Sequence, residues 1–319
     1  MRIRLTQIDG SLPNLALMRL ASYFRGAGAE VVITRDLEPR AGEGRYLDVF
    51  GSAIFTKSAE RIAKFKAAFP QAIIGGTGTE NPITVEDIIG THRGFDYAGY
   101  PDFPESIGFT QRGCRMHCPF CVVPAKEGAN VSTGTLEEIW RGPGHPKKIH
   151  LLDNDFFGQP AWRERIAEAK AGGYKVCFSQ GVNARLIGDE EAASLASIEY
   201  RDTKFARRRL YTAWDNLRDE KIFFAGVDRL EAAGIPPSHL MAYMLIGFDP
   251  AETWDMIWRR FFLMTERGIR PYPMVYDSAR LDLKAFQRWV VMGLYRIIPF
   301  SKYDRGPKDP AALLAYLLS

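Results

Sequence analysis

The stretch IGFTQRGCRMHCPFC (107–121) decides how the chain is read. Three thiols, Cys114, Cys118 and Cys121, fall within eight residues in the spacing C-x-x-x-C-x-x-C, directly after a predicted strand, IGFT (107–110). Three thiolates on one tight loop can hold three corners of a cubane iron–sulfur cluster, and the fourth iron is then left without a protein ligand. An open metal position is what a catalytic site keeps for its substrate. Gly113 and Pro119 favour a non-helical wrap around such a cluster. The competing reading is structural zinc, which wants four ligands. His117, His145 and Cys177 are the candidates for the fourth. His117 lies inside the loop and would crowd it, and Cys177 sits mid-strand as a small apolar residue. Structural zinc loops also tend to bring two spaced ligand pairs.

Downstream of the loop, strand-like and helix-like stretches alternate. The predicted strands are KIHLLD (148–153), YKVCFSQ (174–180), RRLYTAW (208–214), HLMAYMLIGF (239–248) and RPYPMVYD (270–277). The predicted helices between them are 161–173, 189–198, 219–235 and 252–268. With IGFT these make six strand-plus-helix steps in one direction, an open sheet or partial barrel over 105–280. Upstream, RIRLTQ (2–7), a helix over 14–29, EVVIT (30–34), LDVFGSAIF (47–55), a helix over 58–69 with Ser58 as N-cap, and QAIIGG (71–76) predict a small doubly wound α/β domain over 1–95. DYAGYPDFPESI (96–107) reads as a linker or strap. Residues 281–319 read as a C-terminal helical extension whose aromatics are structural.

Composition sets the outer bounds. The chain has 319 residues, which suggests about two domains, with 46% hydrophobic and 25% charged residues. That is ordinary globular usage and excludes disorder or fibrous repeats as whole-chain descriptions. No 20–50-residue sequence repeat marks a solenoid. No apolar run approaches the ~20 residues of a bilayer span, and MRIRLTQIDG lacks the apolar core of a secretory signal. The cytoplasm is the expected compartment, with no membrane partner. The net charge of +4 does not point to nucleic acid. The basic clusters Lys204, Arg207, Arg208 and Arg209, and Lys147 with Lys148, precede strands and read as solvated surface.

The segment CRMHCPFC, with Phe120 before its last cysteine, the strand ahead of it and the βα repeat behind it, resembles the signature of the radical S-adenosylmethionine (radical SAM) superfamily. The resemblance implies a partial (β/α)6 barrel and a [4Fe–4S] cluster on Cys114, Cys118 and Cys121. It also implies S-adenosylmethionine on the open iron and one-electron cleavage to a 5′-deoxyadenosyl radical that takes hydrogen from a substrate. An electron donor of flavodoxin or ferredoxin type is implied as partner. The remaining cofactor contacts belong at the C-terminal ends of strands. Asp153, Asn154 and Asp155 stand where family members usually carry Gly-Gly-Glu and resemble the Asp-Asp-Asn-Phe version of cobalamin-linked members; they would receive the methionine ammonium. Gln180, Asn183 and Arg185 follow the next strand, with Arg185 suited to the methionine carboxylate. Asp215 would accept from ribose hydroxyls, and Gly247 would let backbone approach adenine. Trp214, Phe248, Tyr272 and Tyr276 would either stack a planar substrate or fill the interior.

A flavodoxin-like domain ahead of such a barrel resembles the cobalamin-binding arrangement of this superfamily. Its Asp-x-His-x-x-Gly loop is missing here, since Asp9-Gly10 runs into Ser11 and the first histidine is His92. Ser52-Ala-Ile and Gly75-Gly76 match two later landmarks that line a nucleotide tail. Cobalamin is therefore a secondary, disfavoured expectation. The reading is a radical SAM enzyme with one cluster, with a cobalamin-dependent methyltransferase and a zinc-stabilised nucleic-acid-binding module as alternatives.

Overall fold

Short β-branched runs broken by glycine and amphipathic stretches become alternating strands and helices along the chain. The computed structural model describes residues 1–81 and 83–303; the expected tail helix at 310–319 lies outside the described residues. The chain divides into two units, Met1–Pro104 and Glu105 onward.

The first unit runs β1 (Arg2–Gln7), α1 (Leu15–Gly26), β2 (Glu30–Thr34), β3 (Asp48–Ser52), α2 (Ala59–Ala68), β4 (Ile73–Gly75) and α3 (Val85–Ile89). All four strands are parallel, in the order β2-β1-β3-β4. One face of the sheet packs Ile3, Leu5 and Phe50 with Leu17, Leu20 and Ile89, and the other packs Ile8, Val49 and Ile74 with Phe65 and Phe69. Burial on both faces explains why these strands read as apolar runs. Arg4 is buried among them. It pairs with Glu43 at 2.6 Å and donates to the carbonyls of Asp36 (2.7 Å) and Glu38 (3.2 Å), the density of partners a buried charge requires.

One expectation changes here. Ser58 precedes α2 but makes no side-chain cap bond. A 3-10 turn, Thr56–Ser58, leaves it at φ −89°, ψ 15°, outside the extended backbone from which a cap reaches the helix amides. The segment after 95 packs on the first unit: the Tyr100 hydroxyl accepts from the Asn14 N–H (3.2 Å) and donates to Gln7 Oε1 (2.9 Å).

The second unit runs β5 (Ser106–Gly108), β6 (Gln111–Arg112), α4 (Val123–Glu127), β7 (Val131–Ser132), α5 (Leu136–Ile139), β8 (Lys148–Leu151), α6 (Trp162–Gly172), β9 (Lys175–Phe178), α7 (Asp189–Ala196) and β10 (Glu199–Tyr200). It continues with β11 (Leu210–Ala213), α8 (Glu220–Ala232), β12 (Leu240–Ile246), α9 (Trp254–Glu266), β13 (Arg270–Val275) and α10 (Leu281–Val291). Two parallel sheets result, β10-β9-β8-β5 and β11-β12-β13, beside the small antiparallel ladder β6-β7. The two sheets touch beyond β9: the Val182 N–H donates to the Tyr211 carbonyl (2.8 Å), and the Tyr243 hydroxyl to the Ser179 carbonyl (2.8 Å). Ile149, Leu151, Val176, Phe178, Leu210 and Leu240 face the helices. The opposite face carries Cys177 and Tyr211, with Met241 and Tyr243 packed around Phe205.

The basic clusters serve the strand starts. Arg208 pairs with Glu199 (2.6 Å), Lys147 donates to the Gly172 carbonyl (2.7 Å), and Arg209 donates to the carbonyls of Ser238 and Leu240 (3.3 Å each). No helix among the described residues is long and apolar enough to cross a membrane. In the core, Trp258 of α9 contacts Phe261, Phe286, Trp289 and Phe300 and is almost wholly buried. Trp258→Ala is expected to cost about 3–5 kcal/mol, read as a lowered denaturant midpoint.

Candidate functional site

The cysteines lie on an irregular loop between β6 and α4. The two-residue ladder Gln111↔Ser132 and Arg112↔Val131 closes the base of this excursion. At its start Gly113 has φ +78°, and a Cβ there would stand 2.2 Å from the Ala129 carbonyl oxygen. Only glycine lets the outgoing and returning chains pass so closely. The Cys121 N–H donates to the Cys118 carbonyl (2.9 Å), a tight turn through Pro119 and Phe120. Cys114, Cys118 and Cys121 are free thiols and half-buried. Burial raises the Cys114 thiol, against a hydrogen bond from the Met116 N–H (3.4 Å). Among the described residues no three His, Cys, Asp or Glu side chains converge on a single metal ion.

Carboxylates hold the loop from below. Glu127 accepts from the Gly113 N–H, Arg112 Nη2 and Asn154 Nδ2, all at 3.0 Å, so it ties both ends of the excursion to the segment after β8. Asp153 accepts from the N–H groups of Thr110 (2.8 Å) and Gln111 (3.2 Å) and from the Thr110 hydroxyl. Burial nevertheless pushes Asp153 up to about 7, with the charge of Glu127 adding to the rise. Asp155 pairs with Arg115 (3.0 Å) and accepts from Asn130 Nδ2 (3.0 Å), while its own N–H donates to Gln111 Oε1 (3.0 Å). The segment expected to receive a ligand ammonium therefore spends Asp153 and Asp155 on the loop, because both are almost fully buried and a buried carboxylate needs nearby donors.

The residues after β9 reach the same place. Asn183 Oδ1 accepts from the Arg185 N–H (3.2 Å) and Nε (3.1 Å), and Arg185 Nη1 pairs with Asp219 (2.7 Å). Burial works against the Arg185 cation, yet Asp219 and then the Cys118 thiol hold its pKa above the ordinary value. Arg185 is thus held by Asn183 and Asp219. Gln180 is exposed. Asp215 gives one oxygen to the Leu245 N–H (2.8 Å) and is raised by burial. Gly247 has φ +76°, and a Cβ there would meet Leu283 at 2.6 Å; conformation and packing explain that glycine.

The ring of Phe120 stands edge-on to Phe248 (5.4 Å between centroids), and Phe248 edge-on to Tyr276 (4.9 Å). This aromatic chain joins the cysteine loop to the ends of β12 and β13. Trp214 instead fills the core, stacked on Phe223 at 5.1 Å, and Tyr272 packs edge-on against Tyr243. Cys177 is fully buried, with its thiol pushed up to about 12 by burial.

Sequence reasoning missed Glu127, Gln111 and the pair Arg260–Glu252. Arg260 Nη1 donates to the carbonyls of Trp214 (3.1 Å), Asp215 (3.0 Å) and Leu245 (3.0 Å), its Nη2 pairs with Glu252, and Glu252 accepts from the Gly247 N–H (2.7 Å). One guanidinium knots the ends of β11 and β12. The sequence offers only a helix position for Arg260, and nothing in it signals a charge turned inward.

No protein-family model matches the chain, and no curated protein matches it. A solved structure does: the apo, selenomethionine-labelled cobalamin-dependent S-adenosylmethionine radical enzyme OxsB, at TM-score 0.52 and 13% identity. The match covers 91% of this chain and 55% of that one, so this chain spans about half the length of its structural neighbour. The architecture is one shared with a radical S-adenosylmethionine enzyme.

Gly113→Ala is expected to break the loop base, seen as a lowered melting temperature and faster alkylation of the three cysteines. The raised Asp153 pKa means the folded state holds a proton that the unfolded chain releases between about 3.8 and about 7. Wild-type stability should therefore fall, relative to Asp153→Asn, as pH rises through that window. Parallel unfolding curves at several pH values check this.

Proposed function

We propose that this chain is a radical SAM enzyme holding one [4Fe–4S] cluster on Cys114, Cys118 and Cys121. The six strands β5, β8, β9, β11, β12 and β13 are then a partial (β/α)6 barrel, and the first unit, with its β2-β1-β3-β4 order, is flavodoxin-like. The observation that carries the reading is the loop: three half-buried thiols on one glycine-shaped excursion beyond a parallel strand. The donor set fits, because a cubane takes one thiolate on each of three irons, whereas zinc asks four ligands to converge on one ion. The shared fold with a radical SAM enzyme supports the same reading.

When bound, the cluster and S-adenosylmethionine supply a one-electron cleavage that yields a 5′-deoxyadenosyl radical for hydrogen abstraction from the substrate. The chain supplies position and charge. Glu127 and Asp155 fix the loop, and Arg185 offsets thiolate charge at Cys118. Phe120, Phe248 and Tyr276 line the loop side of the strand ends with edge-on rings. Asn154, Asp215 and the backbone around Gly247 remain the groups for the nucleoside and methionine ends. A cytosolic setting keeps such thiols reduced, and an electron donor of flavodoxin or ferredoxin type would serve as reductant. No step is assigned to cobalamin.

Anaerobic reconstitution should load about four irons and four sulfides per chain, and dithionite with S-adenosylmethionine should give 5′-deoxyadenosine. Alanine at any one of the three cysteines should reduce both to background. A fully loaded protein that leaves S-adenosylmethionine intact would sink the proposal.

A further inference from the structure

Parallel doubly wound sheets bind their ligands in the crevice beyond the carboxyl ends of the strands, where the strand order reverses, which for a β2-β1-β3-β4 sheet lies between β1 and β3. We infer that this crevice in the first unit is permanently closed by the chain itself, so that the unit holds neither a corrinoid nor a flavin there.

Three sets of contacts close it. Across the crevice, the Asp9 carboxylate accepts from the N–H groups of Ile54 (2.8 Å) and Phe55 (3.0 Å), the backbone donors an incoming phosphate or amide would need. The loop after β1 is bound to its own strand, with Gln7 Nε2 donating to the carbonyls of Asp9 (3.0 Å), Gly10 (3.1 Å) and Leu12 (2.9 Å). Gln7 is itself buried and fixed by Tyr100. The turn after β4 then folds over β3. The Gly78 N–H donates to the Ala53 carbonyl (3.0 Å), Thr77 Oγ1 to the Ile54 carbonyl (2.7 Å), and a Cβ on Gly76 would stand 2.2 Å from the Ala53 oxygen.

The two sequence landmarks of a nucleotide tail thus have other employment. The Ser52 hydroxyl is buried and accepts from Asn14 Nδ2 (2.8 Å). Gly76 is small so that the chain can lie against its own backbone, leaving no cradle for a ligand. A ligand would have to break charge-assisted bonds at Asp9, each worth more than a neutral one, before making any of its own.

The test uses the full-length protein and does not depend on its cluster chemistry. Hydroxocobalamin and flavin mononucleotide are offered in excess, separated by gel filtration, and hydrogen exchange is followed at residues 52–55 and 76–78. The expected result is that neither ligand is held tighter than about 1 mM and that the Ile54 and Phe55 amides stay protected and unchanged. Asp9→Ala should speed exchange at those two amides by roughly tenfold or more. Stoichiometric retention with altered exchange in these segments would overturn the inference, as would an Asp9→Ala protein with unchanged exchange. Retention that leaves both segments unchanged would place the ligand elsewhere and uphold it.

Discussion

The second unit depends on how a reactive loop is held without being buried. A loop of three thiols has little apolar surface of its own with which to fold. Charge from below does the holding. Glu127 binds both ends of the excursion, and Asp153 and Asp155 bind the strand and loop that flank it. Their carboxylates are largely shielded from water, while the partners Arg112 and Arg115 stay partly exposed. These bonds are exacting, since a carboxylate left unpaired in the same place would cost several kcal/mol or more. The raised Asp153 pKa records that burial cost even with three donors present.

A second knot of the same kind lies across the sheet. Arg260 is 1% exposed and Glu252 8% exposed at their side chains, and together they fix the carbonyls ending β11 and β12 and the amide of Gly247. Phe120 and Phe248 meet between the two knots. The strand ends of the second unit thus carry a polar frame and an aromatic seam.

The first unit shows the opposite use of similar means. Its strand ends carry a carboxylate, an amide and two close-packed glycine turns, and every one of them faces another part of the same unit. The likeness to the solved structure is one of fold.

The sequence by itself determined the alternation of strands and helices, the place of the cysteine loop and the spacing of its thiols. Each of these rests on local signals: apolar periodicity, a glycine that must take positive φ, and thiols at short spacing. It also placed Asp153, Arg185, Asp215 and Gly247 after strand ends, because in βα units strand ends follow from chain order. Only the tertiary structure decided what those side chains face. Asp153 and Asp155 turned inward because Thr110, Gln111 and Arg115 supply their donors from some forty residues away. Trp214 became core because Phe223 of the following helix covers it, and Arg260 became a strand clamp because three carbonyls converge on it. Such long-range pairings depend on which strands lie side by side, a property that no local spacing encodes.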